Sequence, residues 1–60
     1  MNRLLDKSEV SKLLLVSVRT VDRLRESGEL KALRVRGSIR FSEDDVRAFL
    51  ESQRREGVRP

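Results

Sequence analysis

The sequence contains no cysteine, histidine, tyrosine or tryptophan, and only one proline and two phenylalanines. Without cysteine or histidine, neither a disulfide nor an ordinary zinc site can stabilise the fold. The usual general base, thiolate and phenolic nucleophile are absent too, so we expect no enzyme activity, cofactor or metal. The longest apolar run, Leu13 to Val16, is too short for a membrane span or a signal peptide. These absences predict a soluble, intracellular binding protein.

What the chain has is charge, with 14 basic and 10 acidic residues among 60 and a net charge of +4. This length predicts one small domain. The basic surplus is uneven, because residues 1–41 hold ten bases and five acids whereas residues 42–60 hold four bases and five acids. A basic surface favours a polyanionic partner such as double-stranded DNA, although basic composition is equally compatible with solubility alone.

The first predicted helix covers Lys7 to Leu14. It follows a capping box, in which Asp6 and Glu9 can each satisfy a backbone amide of the other residue. Leu5 is placed to pack on Val10 as a hydrophobic staple. The residues expected on the buried side are Val10, Leu13 and Leu14.

The second predicted helix covers Val18 to Glu26, between a serine cap at Ser17 and a glycine stop at Gly28. The connection between the two helices is so short that they must cross at a large angle, as in a helix-turn-helix. We expect Leu15 and Val16 in this turn to be partly buried between the helices. The buried side of the second helix is expected to comprise Val21 and Leu24.

A change of period after Gly28 predicts a β-hairpin centred on residues 36–38, with Gly37 supplying a positive backbone angle. Simple alternation gives it an apolar inner face of Leu33, Val35, Ile39 and Phe41. The basic outer face is then expected to hold Arg34, Arg36, Ser38 and Arg40. A third predicted helix follows the cap Ser42, and its buried side is expected to comprise Val46, Phe49 and Leu50. The remaining residues are expected to form a frayed tail. The predicted domain is therefore residues 1–53, and the tail is residues 54–60.

Two exposed surfaces carry the basic surplus. On a helical wheel, the side of the second helix opposite its buried residues holds Arg19, Asp22, Arg23 and Glu26. Guanidinium groups placed there suit guanine edges or phosphates, and the helix start at Ser17 suits a phosphate. The alternative is a solvated helix whose arginines pair with Asp22 and Glu26. The hairpin is a second basic surface. Alternatively, its charges protect an exposed strand edge from pairing with another chain.

Four motifs occur in order: Leu4-Leu5-Asp6, the run Val16 to Val21, Ser27-Gly28-Glu29-Leu30, and Ile39-Arg40-Phe41 leading to Asp45-Val46. Together, over residues 4–50, they resemble the excisionase-type, MerR-like winged-helix DNA-binding family. This resemblance implies a small α+β winged helix-turn-helix with a two-stranded wing and a C-terminal helix.

The resemblance further implies which residues meet DNA. The major-groove positions on the second helix are Arg19, Thr20 and Arg23, and Ser17 is the cap that faces a phosphate. The minor-groove set on the wing is Arg36, Gly37 and Ser38, to which the charge pattern adds Arg34 and Arg40. Small phage excisionases, also called recombination directionality factors, bind tandem sites head to tail, bend DNA in the bacterial host and assist a separate integrase. No small-molecule ligand or membrane is implied.

Two positions depart from that family. Leu15 stands where a turn glycine is common, so either the turn avoids a left-handed angle or Leu15 is strained. Asp22 replaces a common aromatic residue, and it either accepts from a cytosine, positions Arg19 or Arg25, or faces water. Two other functions remain open, a small MerR-like transcriptional regulator and a protein-binding adaptor.

Overall fold

The computed structural model describes residues 3–57, with side chains for residues 3–54. Its elements in chain order are β1 (Leu4–Leu5), α1 (Lys7–Leu14), α2 (Val18–Ser27), β2 (Leu33–Val35), β3 (Ser38–Ser42) and α3 (Glu43–Gly57). The strands form an antiparallel sheet in the order β1-β3-β2. Within the described residues, none of the helices is long and apolar enough to cross a membrane.

Helix α1 begins at the predicted capping box. The Asp6 carboxylate accepts from the Glu9 amide at 2.8 Å, and the Glu9 carboxylate accepts from the Asp6 amide at 3.0 Å. The predicted bounds of this helix are confirmed. The prediction that Leu13 is buried is wrong, because its side chain is 58% exposed. Ser11 is buried instead, which turns the buried arc of α1 away from Leu13.

The connection between α1 and α2 is exposed at Leu15, contrary to the prediction that both of its residues are partly buried. Leu15 is 89% exposed, whereas Val16 is 36% exposed and so partly covered. The backbone amides of both residues donate to the carbonyl of Ser11. These bonds hold Leu15 in the left-handed region, at φ 58° and ψ 43°. Leu15 is therefore strained, which was one of the two possibilities left open for this position.

Helix α2 begins at its predicted cap and ends one residue later than predicted. The Ser17 hydroxyl accepts from the Thr20 amide at 3.1 Å. The helix stops at Gly28, whose φ of 87° is costly for any residue with a Cβ. Val21 is fully buried and Leu24 packs against the core, as predicted.

The register of the β2–β3 hairpin reverses the predicted face of β2. Its turn has two residues, so Val35 lies opposite Ser38 and Leu33 opposite Arg40. Directly opposed residues share a face of the sheet, so Leu33 and Val35 share a face with Arg40. The prediction of one apolar and one basic face is wrong. A two-residue loop pairs odd positions with even ones, which places Arg34 opposite Ile39.

The sheet has a third strand that the sequence did not reveal. Strand β1 pairs with β3, with Leu4 opposite Ser42 and Leu5 opposite Phe41. Leu5 is 2% exposed and belongs to the core. The predicted two-stranded wing is therefore part of a three-stranded sheet. A two-residue strand is too short to show the alternation of apolar and polar residues by which strands are predicted.

Helix α3 begins after Ser42, whose hydroxyl accepts from the Asp45 amide at 3.1 Å, as its predicted capping role requires. It continues to Gly57, past the predicted end of the domain at residue 53. Residues 54–57 are thus part of the helix, and residues 58–60 of the predicted tail lie outside the described residues. Val46 is buried and Phe49 packs on the core, but Leu50 is exposed, contrary to prediction.

The core collects at least one side chain from α1, α2, α3 and the sheet. Its buried apolar members are Leu5, Val10, Val21, Leu30, Phe41 and Val46. Because β3 lies in the middle of the sheet, its Phe41 joins the helices to the strands. This packing leaves one side of α2 and the tip of the hairpin exposed.

Candidate nucleic-acid interface

The exposed side of α2 carries two arginines one helical turn apart. Arg19 and Arg23 are exposed, and Val21 between them in sequence is fully buried. Four residues of helix advance about 6 Å along the axis. That distance lets the two guanidinium groups address neighbouring base steps or phosphates, because successive bases of one strand are about 3.4 Å apart.

The start of α2 is ordered by a side-chain cap. In addition to its bond with the Thr20 amide, the Ser17 hydroxyl lies 3.1 Å from the Thr20 hydroxyl. The first intrahelical bond runs from the Val21 amide to the Ser17 carbonyl. The amides of Val18 and Arg19 precede it and have no acceptor within the helix, which is the arrangement that suits an anion.

The acids of α2 are paired with cations that lie off this exposed side. Asp22 accepts from Lys7 of α1 at 3.0 Å and lies 3.7 Å from Arg25. Glu26 lies 3.9 Å from Arg25. Asp22 thus contacts Arg25, one of the partners considered for it, together with Lys7, which was not anticipated.

Arg19 and Arg23 take no part in these ion pairs. Within residues 3–54, neither Arg19 nor Arg23 makes an ion pair. The ion pairs of these two arginines with Asp22 and Glu26 that the solvated-helix alternative includes are not formed. The exposed side of α2 therefore presents two guanidinium groups that are free to bind a ligand without breaking an ion pair of the described fold.

The hairpin tip is a two-residue turn in which both central residues have positive φ. Arg36 has φ 50° and Gly37 has φ 85°. Arg36 and Ser38 are exposed, and the Arg34 guanidinium reaches back towards the Gly37 carbonyl at 3.5 Å. Both positive angles are typical of the hairpin turn whose twist matches that of the strands.

Arg40 does not join this tip. It lies on the opposite face from Arg34, is half-buried, and donates to the Ile39 carbonyl at 2.8 Å. The structure thus places Arg36, Gly37 and Ser38 at the turn, and the Arg34 guanidinium reaches the turn through the Gly37 carbonyl. Arg40 is separated from Arg34 by the thickness of the sheet.

Two further cations were missed by the sequence analysis. Arg25 and Lys31 join Arg34 around a surface cleft of about 360 Å³ between the end of α2 and the hairpin. For Lys31 the signal available in the sequence was the absence of acids between Leu30 and Phe41, a segment that does not include Arg25. The part of the chain that the structure describes holds no cluster of acidic, histidine or cysteine side chains able to bind a metal.

An exposed basic helix after a tight turn, followed by a basic hairpin, defines a helix-turn-helix DNA-binding domain. Residues 4–54 match the model of the helix-turn-helix domain family, and the chain belongs to that family. It is also 42% identical over 45 residues to the uncharacterized protein PM1772 of Pasteurella multocida (strain Pm70). That match covers 75% of this chain and 69% of the relative.

Proposed function

We propose that this chain is an architectural DNA-binding protein of the excisionase type, a recombination directionality factor. The observation that carries the proposal is the pair of unpaired arginines on the exposed side of α2, next to a basic hairpin. The order of motifs that resembles small phage excisionases narrows the class within helix-turn-helix proteins.

In this proposal α2 enters the major groove. Arg19 and Arg23 donate to guanine edges or to flanking phosphates, and Thr20 lies beside them. Ser17 and the first amides of α2 face the DNA backbone. A bidentate contact of arginine with guanine discriminates against other bases by about 1–3 kcal/mol, so this helix carries the sequence preference.

The hairpin lies along the adjacent minor groove, with Arg36 at its tip. Narrow minor grooves have an enhanced negative potential that attracts arginine. Gly37 and Ser38 add little bulk, which permits close approach of the backbone. DNA that bends towards the wing makes additional contacts with the protein. The size of the bend depends on how easily that DNA sequence is deformed.

The protein itself performs no chemistry in this proposal. Strand exchange needs a nucleophile, and a separate integrase supplies it in the bacterial cytoplasm. Copies of this chain bind tandem sites head to tail, so the protein fixes DNA geometry and thereby favours excision of a prophage.

The test is selection of bound duplexes from a random library. We expect direct repeats spaced about one helical turn, the arrangement that head-to-tail copies require. Inverted repeats would overturn the excisionase assignment and favour a symmetric dimer acting as a transcriptional regulator. If the folded protein enriches no sequence, sequence-specific DNA recognition is refuted, and a protein-binding adaptor becomes the favoured function.

Substitutions locate the binding face on the selected duplex. We expect Arg23→Ala and Arg36→Ala to weaken binding, whereas Arg47→Ala, which removes the same charge from exposed α3, should leave specific affinity almost unchanged. With four to six phosphate contacts, log affinity should fall against log salt with a slope of about −4 to −5. A slope near zero, or equal effects of all three variants, would show that the proposed face is wrong.

A further inference from the structure

The cleft between the end of α2 and the hairpin is strongly basic. Its cationic lining residues are Arg25, Lys31 and Arg34, and the others are Gly28, Leu30, Ala32 and Ile39. None of these seven residues is acidic. Side chains of like charge around one cleft repel each other, and an anion bound among them removes that repulsion.

Two of the three cations have no acidic partner. Within the described part of the chain, Lys31 and Arg34 form no ion pair. Lys31 is exposed, and Arg34 has only the 3.5 Å contact with the Gly37 carbonyl. Both can reorient towards a ligand without breaking an ion pair.

Arg25 adds an unused donor. One terminal nitrogen of its guanidinium lies 3.7 Å from a carboxylate oxygen of Asp22 and 3.9 Å from one of Glu26. Its Nε atom is buried and has no hydrogen-bond partner in the protein. A buried donor without an acceptor is unfavourable, so a reorientation of Arg25 that brings Nε to an acceptor oxygen in the cleft would be favoured.

The end of α2 does not oppose an anion as strongly as a bare helix end would. The Gly28 amide donates to the Arg25 carbonyl, and the Leu30 amide donates to the Leu24 carbonyl, both at 3.1 Å. Two of the carbonyls that carry the negative end of the helix dipole are thus already satisfied.

The position of the cleft agrees with the path of a DNA strand. A sugar-phosphate backbone always separates a major groove from the neighbouring minor groove. If α2 lies in one groove and the hairpin tip in the next, one backbone must cross the surface between them. The cleft lined by Arg25, Lys31 and Arg34 lies between the end of α2 and the hairpin, so it is the place where such a backbone would pass.

From these observations we propose that the cleft is a binding site for one backbone phosphate of DNA, with Lys31 and Arg25 as contact residues alongside Arg34. This inference rests on the proposed DNA-binding function and adds a contact between its two groove-reading elements. The contact contributes affinity without base preference, because phosphates are the same at every step.

The main test compares Lys31→Gln with Arg47→Gln, which removes one charge from exposed α3. Each phosphate contact contributes about 0.9 to the salt slope, so losing one lowers affinity about eightfold near 0.1 M salt. We expect Lys31→Gln to weaken binding to selected and random duplexes by the same factor, and to reduce the slope by about 0.9. Arg47→Gln should leave both nearly unchanged.

A second measurement identifies the phosphate. Each backbone position of the selected duplex is replaced in turn by an uncharged methylphosphonate. At one position the replacement should weaken the wild-type protein about eightfold, yet have little further effect on Lys31→Gln. Because Arg25 also packs in the fold, its variant is Arg25→Lys, which keeps the charge but lacks the Nε donor. We expect this variant to bind more weakly while it unfolds at a similar urea concentration.

The possible results separate the two proposals. If the wild-type protein binds with a steep salt slope but Lys31→Gln behaves like Arg47→Gln, the cleft proposal is wrong and the DNA face stands. If the wild-type protein binds no duplex, the proposed function itself fails. Titration with inorganic phosphate, followed by NMR at the Lys31 amide, provides a third arm. Saturation at low millimolar phosphate, with no effect of Lys31→Gln on duplex binding, would assign the cleft to a free anion and overturn the proposal.

Discussion

The hairpin tip places an arginine in a backbone conformation that arginine tolerates poorly. Arg36 has φ 50° at the first central position of a turn in which Gly37 has φ 85°. The left-handed region costs a residue with a Cβ about 1–2 kcal/mol, and asparagine followed by glycine is the pair that this turn prefers. We therefore expect Arg36→Asn to increase the free energy of unfolding by about 0.5–1 kcal/mol. For a domain of this size, that corresponds to a rise in Tm of about 2–8 °C.

The same substitution should weaken DNA binding. Arg36 is exposed and makes no ion pair among the described residues, so its charge has no partner in the free protein. Loss of one cationic contact lowers affinity about eightfold near 0.1 M salt. Urea unfolding followed by circular dichroism gives the stability, and fluorescence anisotropy with the selected duplex gives the affinity.

Opposite changes in stability and affinity are the signature of a residue kept for binding. Arg36→Lys is the matched control, because it retains both the charge and the strained angle, and it should change the free energy of unfolding by less than about 0.5 kcal/mol. If Arg36→Asn lowers stability, the reasoning about strain is refuted. If it raises stability and leaves affinity unchanged, the tip of the hairpin does not contact DNA.

Four further substitutions test the fold by urea unfolding. Leu15→Asn should stabilise the protein by about 0.5–1 kcal/mol, since Leu15 is strained at φ 58° and almost fully exposed; a loss of stability would mean that its side chain packs. Asp6→Ala removes the acceptor of the Glu9 amide and should cost about 0.5–2 kcal/mol, so an unchanged midpoint would contradict the capping box. Gly28→Ala meets no atom within 4 Å but retains φ +87°, so it should cost about 1–2 kcal/mol from backbone strain alone. Phe41→Ala empties the centre of the core and should cost about 3–5 kcal/mol, enough to unfold a domain this small; a cooperative transition near the wild-type midpoint would contradict its central place.

The sequence predicted where helices begin because caps are local. Asp6, Ser17 and Ser42 each act within three residues, and each makes the expected bond. Helix ends were less well determined. The polar residues after Gln53 show no apolar period, yet they continue α3 to Gly57, since a solvent-facing helix requires no buried stripe at its end.

Which residues share a face of the hairpin depends on whether its loop has two residues or three. The glycine at position 37 located the turn but did not distinguish two loop residues from three. Only the register decides whether Val35 shares a face with Ile39 or with Ser38. Strand β1 and the Lys7–Asp22 ion pair depend on segments far apart in the chain, and local patterns carry no such information.

The absence of Arg19 and Arg23 from the ion pairs of α2 has a consequence for how the proposed DNA target can change. Asp22 and Glu26 take their partners from Lys7 and Arg25, so substitutions at Arg19 and Arg23 break no ion pair of the described fold. Neither arginine belongs to the core. Under the proposed function, changes at these two positions would therefore alter the DNA sequence that is bound, while the core and the ion pairs of the scaffold that presents them stay intact.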